Sequence, residues 1–210
     1  MPSNPAIATL QGRFPQNADA ALASTFNSAI SIVDRTDNER RANAANKLLT
    51  VDGQNDKTKA FATTQRAIFL RVRSDLAEAK TKLQADRDAL IPRAIDRADA
   101  AGATLRAEFR SVMRNMTSPA SIAWASTQQD PAVITAIWES TPELAGLDAR
   151  SRDVITANWL ANNRAKQMTA LDDRGETVDL VQMAVDLAQG ALFTAAAVRN
   201  GPEFEAWLSA

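Results

Sequence analysis

DKTKAFATTQRAIFLRVRSDLAEAKTKLQADRDALIPRAIDRADAAGATLRAEFRSVMRNM, residues 56–116, carries the longest helical periodicity in this chain. Phe69, Leu76, Leu83 and Leu90 recur every seven residues, and Val72 and Ala79 fall three residues after the first two. That spacing is the a/d seam of a coiled-coil-like helix. Asp86 interrupts the stripe, Ile91-Pro92 follows, and a second series restarts with Ile95, Gly102, Phe109 and Met116, shadowed by Ala98, Leu105 and Val112. Pro92 then either kinks one continuous helix or marks a reversal at which the two seams zip into an antiparallel hairpin. The kinked rod is favoured, because the Gly or Asn that closes a helix before a reversal is missing. About sixty residues at ~1.5 Å each would span on the order of 90 Å. Such a rod leaves its seams in need of partners.

The remaining composition agrees with helix. The chain has 210 residues, 45% of them hydrophobic, with 7 Gly, 8 Pro and no Tyr. This Ala-rich bias predicts an all-α protein with a hydrophobic core. No apolar run is long enough for a bilayer and no basic-then-apolar leader opens the sequence, so the expectation is a protein that is cytoplasmic when synthesised and makes no membrane contact. Net charge is −1, which supplies no global attraction to nucleic acid. With neither Cys nor His, disulfides, thiol chemistry, the usual zinc and haem ligands, and Ser-His or Cys-His nucleophiles are all excluded.

Three regions are expected: an extended N-terminal arm over 1–17, a long-helix region over 18–116, and a compact array of short helices over 117–210. The arm holds Pro2, Pro5 and Pro15 around Ile7, Leu10 and Phe14, and either folds back on its own chain or docks on a neighbouring subunit. A helix with Leu22, Phe26, Ile30 and Val33 on one face should start after Asn17 and run to about Asp34. A second, capped by Thr36 or Asp37, should end near Leu49, with Gly53 breaking the chain.

Beyond Met116, Ser118-Pro119, Asp130-Pro131 and Thr141-Pro142 each pair a capping side chain with proline at a helix start. Gly146 suits a C-terminal cap and Asp148 an N-cap, for a helix carrying Ile155 and Trp159 towards Met168. All four Trp lie beyond position 120, placing Trp138 and Trp159 in a dense core. Asp172, Asp173 and Gly175 read as a turn before a last helix over about 176–199. Its stripes are Val178, Val181, Val185, Ala188, Leu192 and Ala195, and Leu180, Ala184, Leu187 and Ala191. Asn200-Gly201-Pro202 should end it, leaving Phe204, Trp207 and Leu208 to pack back or to anchor a partner.

Residues 130–161, DPAVITAIWESTPELAGLDARSRDVITANWLA, resemble a pattern in small helical proteins that tailed bacteriophages encode near their head genes. The matching positions are Ala136, Ile137, Pro142, Leu144, Gly146 and Leu147, followed by a helix containing Trp159. Ser140-Thr141 before Pro142 and Ala145 before Gly146 stand where Ala-Pro and Ser-Gly are usual. The resemblance implies a phage setting and carries no activity with it.

Site chemistry is sparse. Arg106, Arg110 and Arg114, four residues apart, form a basic ridge that could track a nucleic-acid backbone. Asp96 and Asp99 share its sector, and Asp75 and Glu78 on another helix are candidate partners, so ion pairing is the favoured reading. Carboxylates pair at Asp96/Asp99, at Asp172/Asp173 with Glu176, and at Glu203/Glu205, but none has calcium-loop spacing or a catalytic motif. The expectation is a non-enzymatic structural or assembly protein, without metal or cofactor, that functions as a homo-oligomer in a bacteriophage virion or its assembly. Its interface would be Phe69, Val72, Leu76, Leu83, Ile95, Leu105 and Phe109, and its partners itself and other structural proteins. The alternative is a nucleic-acid-binding module using Arg106, Arg110 and Arg114.

Overall fold

A computed structural model describes residues 5–93 and 98–210, and among these every regular element is helical. They are α1 (Pro5–Arg13), α2 (Ala20–Ala45), α3 (Val51–Ala89), α4 (Ala100–Arg114), α5 (Ser118–Thr127), α6 (Pro131–Trp138), a 3-10 turn η1 (Pro142–Ala145), α7 (Ala149–Asn163), α8 (Ala165–Ala195) and α9 (Gly201–Ser209). The all-α expectation holds. The chain divides into two compact units, one of Met1–Lys82 with Asp173–Ala210 and the other of Leu83–Asp172. The boundaries of these units fall inside α3 and α8.

The first unit departs from the sequence reading at its start. Where described, the expected extended arm is α1, with Ile7 and Leu10 buried in its own chain. Pro5 opens the helix, where its missing N–H costs nothing, and Pro15 lies beyond its end. Phe14 then stacks on Phe26 at 4.1 Å between ring centroids. Asp19, not Asn17, caps α2, its Oδ1 accepting from the N–H of Ala21 at 2.8 Å. The break expected near Thr36 is absent, and α2 runs 26 residues with Thr36 buried. A capping residue permits a helix start without forcing one, and nothing in Asp34-Arg35-Thr36-Asp37 forbids helical dihedrals.

The turn between α2 and α3 comes earlier than Gly53. Asn46 Oδ1 accepts from the N–H of Leu48 at 3.0 Å, Thr50 Oγ1 accepts from the N–H of Gly53 at 3.2 Å, and Gly53 lies inside α3. The tip leaves Leu48 95% and Val51 71% exposed. Asn43 Nδ2 donates to Thr58 Oγ1 at 3.2 Å, near the tip, and locks the register of the two helices.

α3 spans 39 residues, about 58 Å at ~1.5 Å each. Its seam is covered within the chain: Phe69, Val72 and Leu76 are buried, and Phe69 meets Phe204 of α9 edge-on at 6.2 Å. α9 is fastened further by Arg73 to Glu205, both bonds at 3.0 Å, and by Arg66 donating to the Trp207 carbonyl while lying over its ring. The Phe204, Trp207, Leu208 tail thus packs back, on the long-helix unit. Asn200 does not close α8. It caps α9, accepting from the N–H of Glu203 at 2.9 Å, while Glu203 accepts from the N–H of Arg199, one residue before the cap, at 2.9 Å.

α8 shows the expected stripe Val178, Val181, Val185, Ala188, Leu192 and Ala195 buried, with Leu180 and Ala184 on its second side. It is longer than expected because the Asp172-Asp173-Gly175 turn does not form. A single interior glycine costs only ~1 kcal/mol against alanine, and buried Thr177, Val178, Leu180 and Val181 immediately follow it. The break falls instead after Asn163, whose Nδ2 donates to the Trp159 carbonyl at 3.0 Å.

One continuous helix through Pro92 does not form. α3 ends at Ala89, Leu90 and Ile91 turn back onto the carbonyls of Arg87 and Asp88, and α4 is a separate helix capped by Asp99. Proline withholds a donor and disfavours helical dihedrals at the residue before it, so the helix stops. Phe69, Val72 and Leu76 belong to the first unit and α4 to the second.

In the second unit, α5 packs on α7, and α4 packs on α6 and η1. Met113, Val133, Ile134, Ile137, Ile155 and Trp159 form its centre, with Leu90, Ile91 and Phe109 against it. Trp159 is 1% exposed, as expected, whereas Trp138 is only half-buried. Gly146 takes φ 72°, the left-handed cap. Asp148 accepts from the N–H of Ser151 at 2.6 Å to start α7.

Candidate functional site

The arginine ridge of α4 is folded onto α6. Arg106 grips Glu139 in bidentate fashion, Nε to Oε2 at 2.9 Å and Nη2 to Oε1 at 3.1 Å, and Arg106 as a whole is 7% exposed. Its Nη1 also lies 3.6 Å from Asp99 Oδ2. Arg110 Nη1 donates to the Ala136 carbonyl at 3.1 Å and to Glu139 Oε2 at 3.2 Å. Gly102 makes the clasp possible: a Cβ there would lie 1.8 Å from Asp99 Oδ2 and 2.7 Å from Arg106 Nη1. Only Arg114 of the three remains exposed, its backbone running beneath Gly146.

Glu139 explains the cluster. It sits at the C-terminal end of α6, where the helix dipole repels a carboxylate, so a cation must compensate it. The hydrogen bond from Arg106 holds the Glu139 carboxyl below its ordinary value of 4.5, desolvation opposing and Arg110 assisting. The same bond raises Arg106 further above its ordinary value. The sequence reading sought the partners among Asp75, Glu78, Asp96 and Asp99 and found one of them. Asp75 pairs with Arg71 at 3.9 Å, and Asp96 lies outside the described residues. A lone acid closing a short helix was the available signal for Glu139. Beside it, the Trp138 ring has the Arg152 guanidinium at 4.2 Å and that of Arg93 at 5.6 Å from its centroid, and Trp138 donates Nε1–H to Thr156 Oγ1 at 2.9 Å.

The paired carboxylates are likewise engaged. Asp99 caps α4, Asp172 meets Arg87 at 3.1 Å, Glu203 accepts from the N–H of Arg199 and Glu205 holds Arg73. Asp173 and Glu176 lie on the rim of a surface hollow between the α1–α2 turn and α8. Among the described residues no group of three or more Asp or Glu is placed to hold a metal ion, and no helix is long and apolar enough to cross a membrane.

The expected oligomer interface is divided. Phe69, Val72, Leu76 and Leu83 are between 0% and 8% exposed in the single chain, so no second copy is needed to cover them. Ile95 lies outside the described residues. On α4 the outcome is the opposite. Leu105 and Val112, one heptad apart, are each 40% exposed, while Phe109 between them is half-buried beside Trp124. Arg106 and Met113, each one residue further on, point to the core and turn that pair outward. No family model, no curated protein and no solved structure matches the chain.

Proposed function

We propose that this protein is a non-enzymatic structural or assembly component that works as a homo-oligomer in a bacteriophage particle or its assembly. The observation that carries self-association is the Leu105/Val112 pair, apolar surface at coiled-coil spacing on a helix whose opposite side is pinned by the Arg106–Glu139 clasp. Glu108 is the only charge among its exposed neighbours Ala101, Thr104, Ser111 and Asn115, so the patch is poor in charge, as an interface centre is. Residues 130–161, whose sequence supplies the phage setting, form α6, η1 and α7. The nucleic-acid alternative loses support, since two of its three guanidiniums are spent on Glu139.

Sedimentation of the full chain tests this reading. The wild type should associate reversibly, and Leu105→Asp with Val112→Asp should weaken that association without loss of helix content. A wild type that stays monomeric up to high micromolar concentration overturns it. So does salt-sensitive, submicromolar binding to duplex DNA that Arg114→Ala removes.

A further inference from the structure

Leu48 is the most exposed large apolar side chain among the described residues, and Val51, three residues on, comes next. Both crown the turn between α2 and α3, and that turn is built rather than loose. Asn46 Oδ1 accepts from the N–H of Leu48 at 3.0 Å, and the Asn46 carbonyl accepts from the N–H of Leu49 and from Gln54 Nε2, each at 3.2 Å. Thr50 Oγ1 accepts from the N–H of Gly53, and Leu49 is half-buried over Gly53, its Cδ2 3.8 Å from where a Cβ there would stand. Leu48 and Val51 are thus held outward by a fixed backbone, a surface that loses little ordering entropy when it is covered.

The second unit carries the matching recess. Leu105, Glu108, Phe109 and Val112 stand at i, i+3, i+4 and i+7 on α4, the four positions that outline a hole for an incoming knob. The exposed Leu105 and Val112 are its ends, and Phe109, its ring 6.2 Å from that of Trp124, is its half-buried floor. Glu108 forms the rim, exposed and without an ion-pair partner among the described residues. Lys47, next to the Leu48 knob, is exposed and unpaired in the same way. The other charge of the turn, Asp52, lies in the first turn of α3, where the helix dipole favours an acid.

We infer that the occupant of the α4 recess is the α2–α3 turn of a second copy, with Leu48 seated over Phe109 between Leu105 and Val112, and Lys47 paired with Glu108. The inference rests on the self-association reading and names the surface that meets α4. Charge selects the turn over another α4. Glu108 lies midway between Leu105 and Val112, so two α4 faces laid on each other would set Glu108 against its own copy, and like charges so placed oppose association. Lys47 brings the opposite charge to that point. Both apolar patches that the single chain leaves bare are covered by the one contact. The contact joins unlike surfaces, so it is heterologous, and a copy lacking one surface still offers the other.

Sedimentation equilibrium of the full chain, with mixing, tests the pairing. A turn variant, Leu48→Asp with Val51→Asp, should melt as the wild type does, yet raise the dissociation constant on the order of tenfold or more, as should the α4 variant, Leu105→Asp with Val112→Asp. Each keeps the surface that the other lacks, so an equimolar mixture should recover a one-to-one complex that neither variant forms alone. Lys47→Glu should weaken wild-type association severalfold, and adding Glu108→Lys should restore it. A turn variant that associates like the wild type while the α4 variant does not gives α4 another partner surface, overturns this pairing and leaves the proposed function standing. A mixture that forms no complex, or a charge exchange that restores nothing, overturns the pairing as well. A wild type that is monomeric throughout overturns both.

Discussion

α3 and α4 carry apolar series of the same seven-residue period, yet Phe69, Val72 and Leu76 are buried while Leu105 and Val112 are each 40% exposed. The difference lies in what returns to each helix. On α3 the chain brings back α9 from more than a hundred residues away, and Phe204 closes on Phe69. On α4 the helix is pinned by a polar clasp and by Met113, both offset from the seam, and the seam faces outward. Periodicity therefore shows that a helix has an apolar face, and the return path of the chain decides whether that face is already used.

The largest expected effect tests this contrast directly. Phe69→Ala should cost about 3–5 kcal/mol in denaturant unfolding, as a fully buried aromatic does, whereas Leu105→Ala in the dissociated protein should stay within ~0.5 kcal/mol. Equal losses at both positions would erase the distinction. A smaller effect concerns the clasp. Helix propensity alone would make Gly102→Ala stabilising by up to ~1 kcal/mol, but the new Cβ must displace the Asp99 cap, worth ~1 kcal/mol. The substitution should bring no gain in the wild type and a clear gain in an Asp99→Ala background, measured by a double-mutant cycle. The same gain in both backgrounds would show that the clasp tolerates the methyl group.

The smallest expected effect is a pH dependence. Glu139 is held below 4.5 in the folded chain, so its contribution is complete above that value and fades as pH falls through the lower folded one. The stability difference between wild type and Glu139→Gln should accordingly be constant near neutrality and shrink progressively below about pH 4.5. Asp148, also depressed by its cap to Ser151, titrates in both proteins and cancels. A difference that persists unchanged into acid would remove the ion pair as the anchor of α4.

Local chemistry was legible to the extent that it acts within a few residues. Asp130 and Asp148 cap where a short polar residue precedes an apolar run, Gly146 adopts the left-handed cap, and the α8 stripe is buried as its spacing requires. The same local signals misled at Thr36, Gly53 and Gly175, because capping and flexible residues allow a boundary without imposing one. Pro92 imposed one, and α3 stops before it.

By itself, then, the sequence determined the all-α class, the capped starts and the faces that must be buried, since these follow from dihedral preference and spacing along one helix. Tertiary structure alone decided that α9 rather than a neighbouring chain covers Phe69, that Glu139 answers Arg106 and Arg110, and that unit boundaries cut through α3 and α8. Those outcomes depend on pairings between residues up to 141 positions apart, as between Arg66 and Trp207. No local spacing encodes them, because many partners of equal chemistry compete and only the closed chain selects among them.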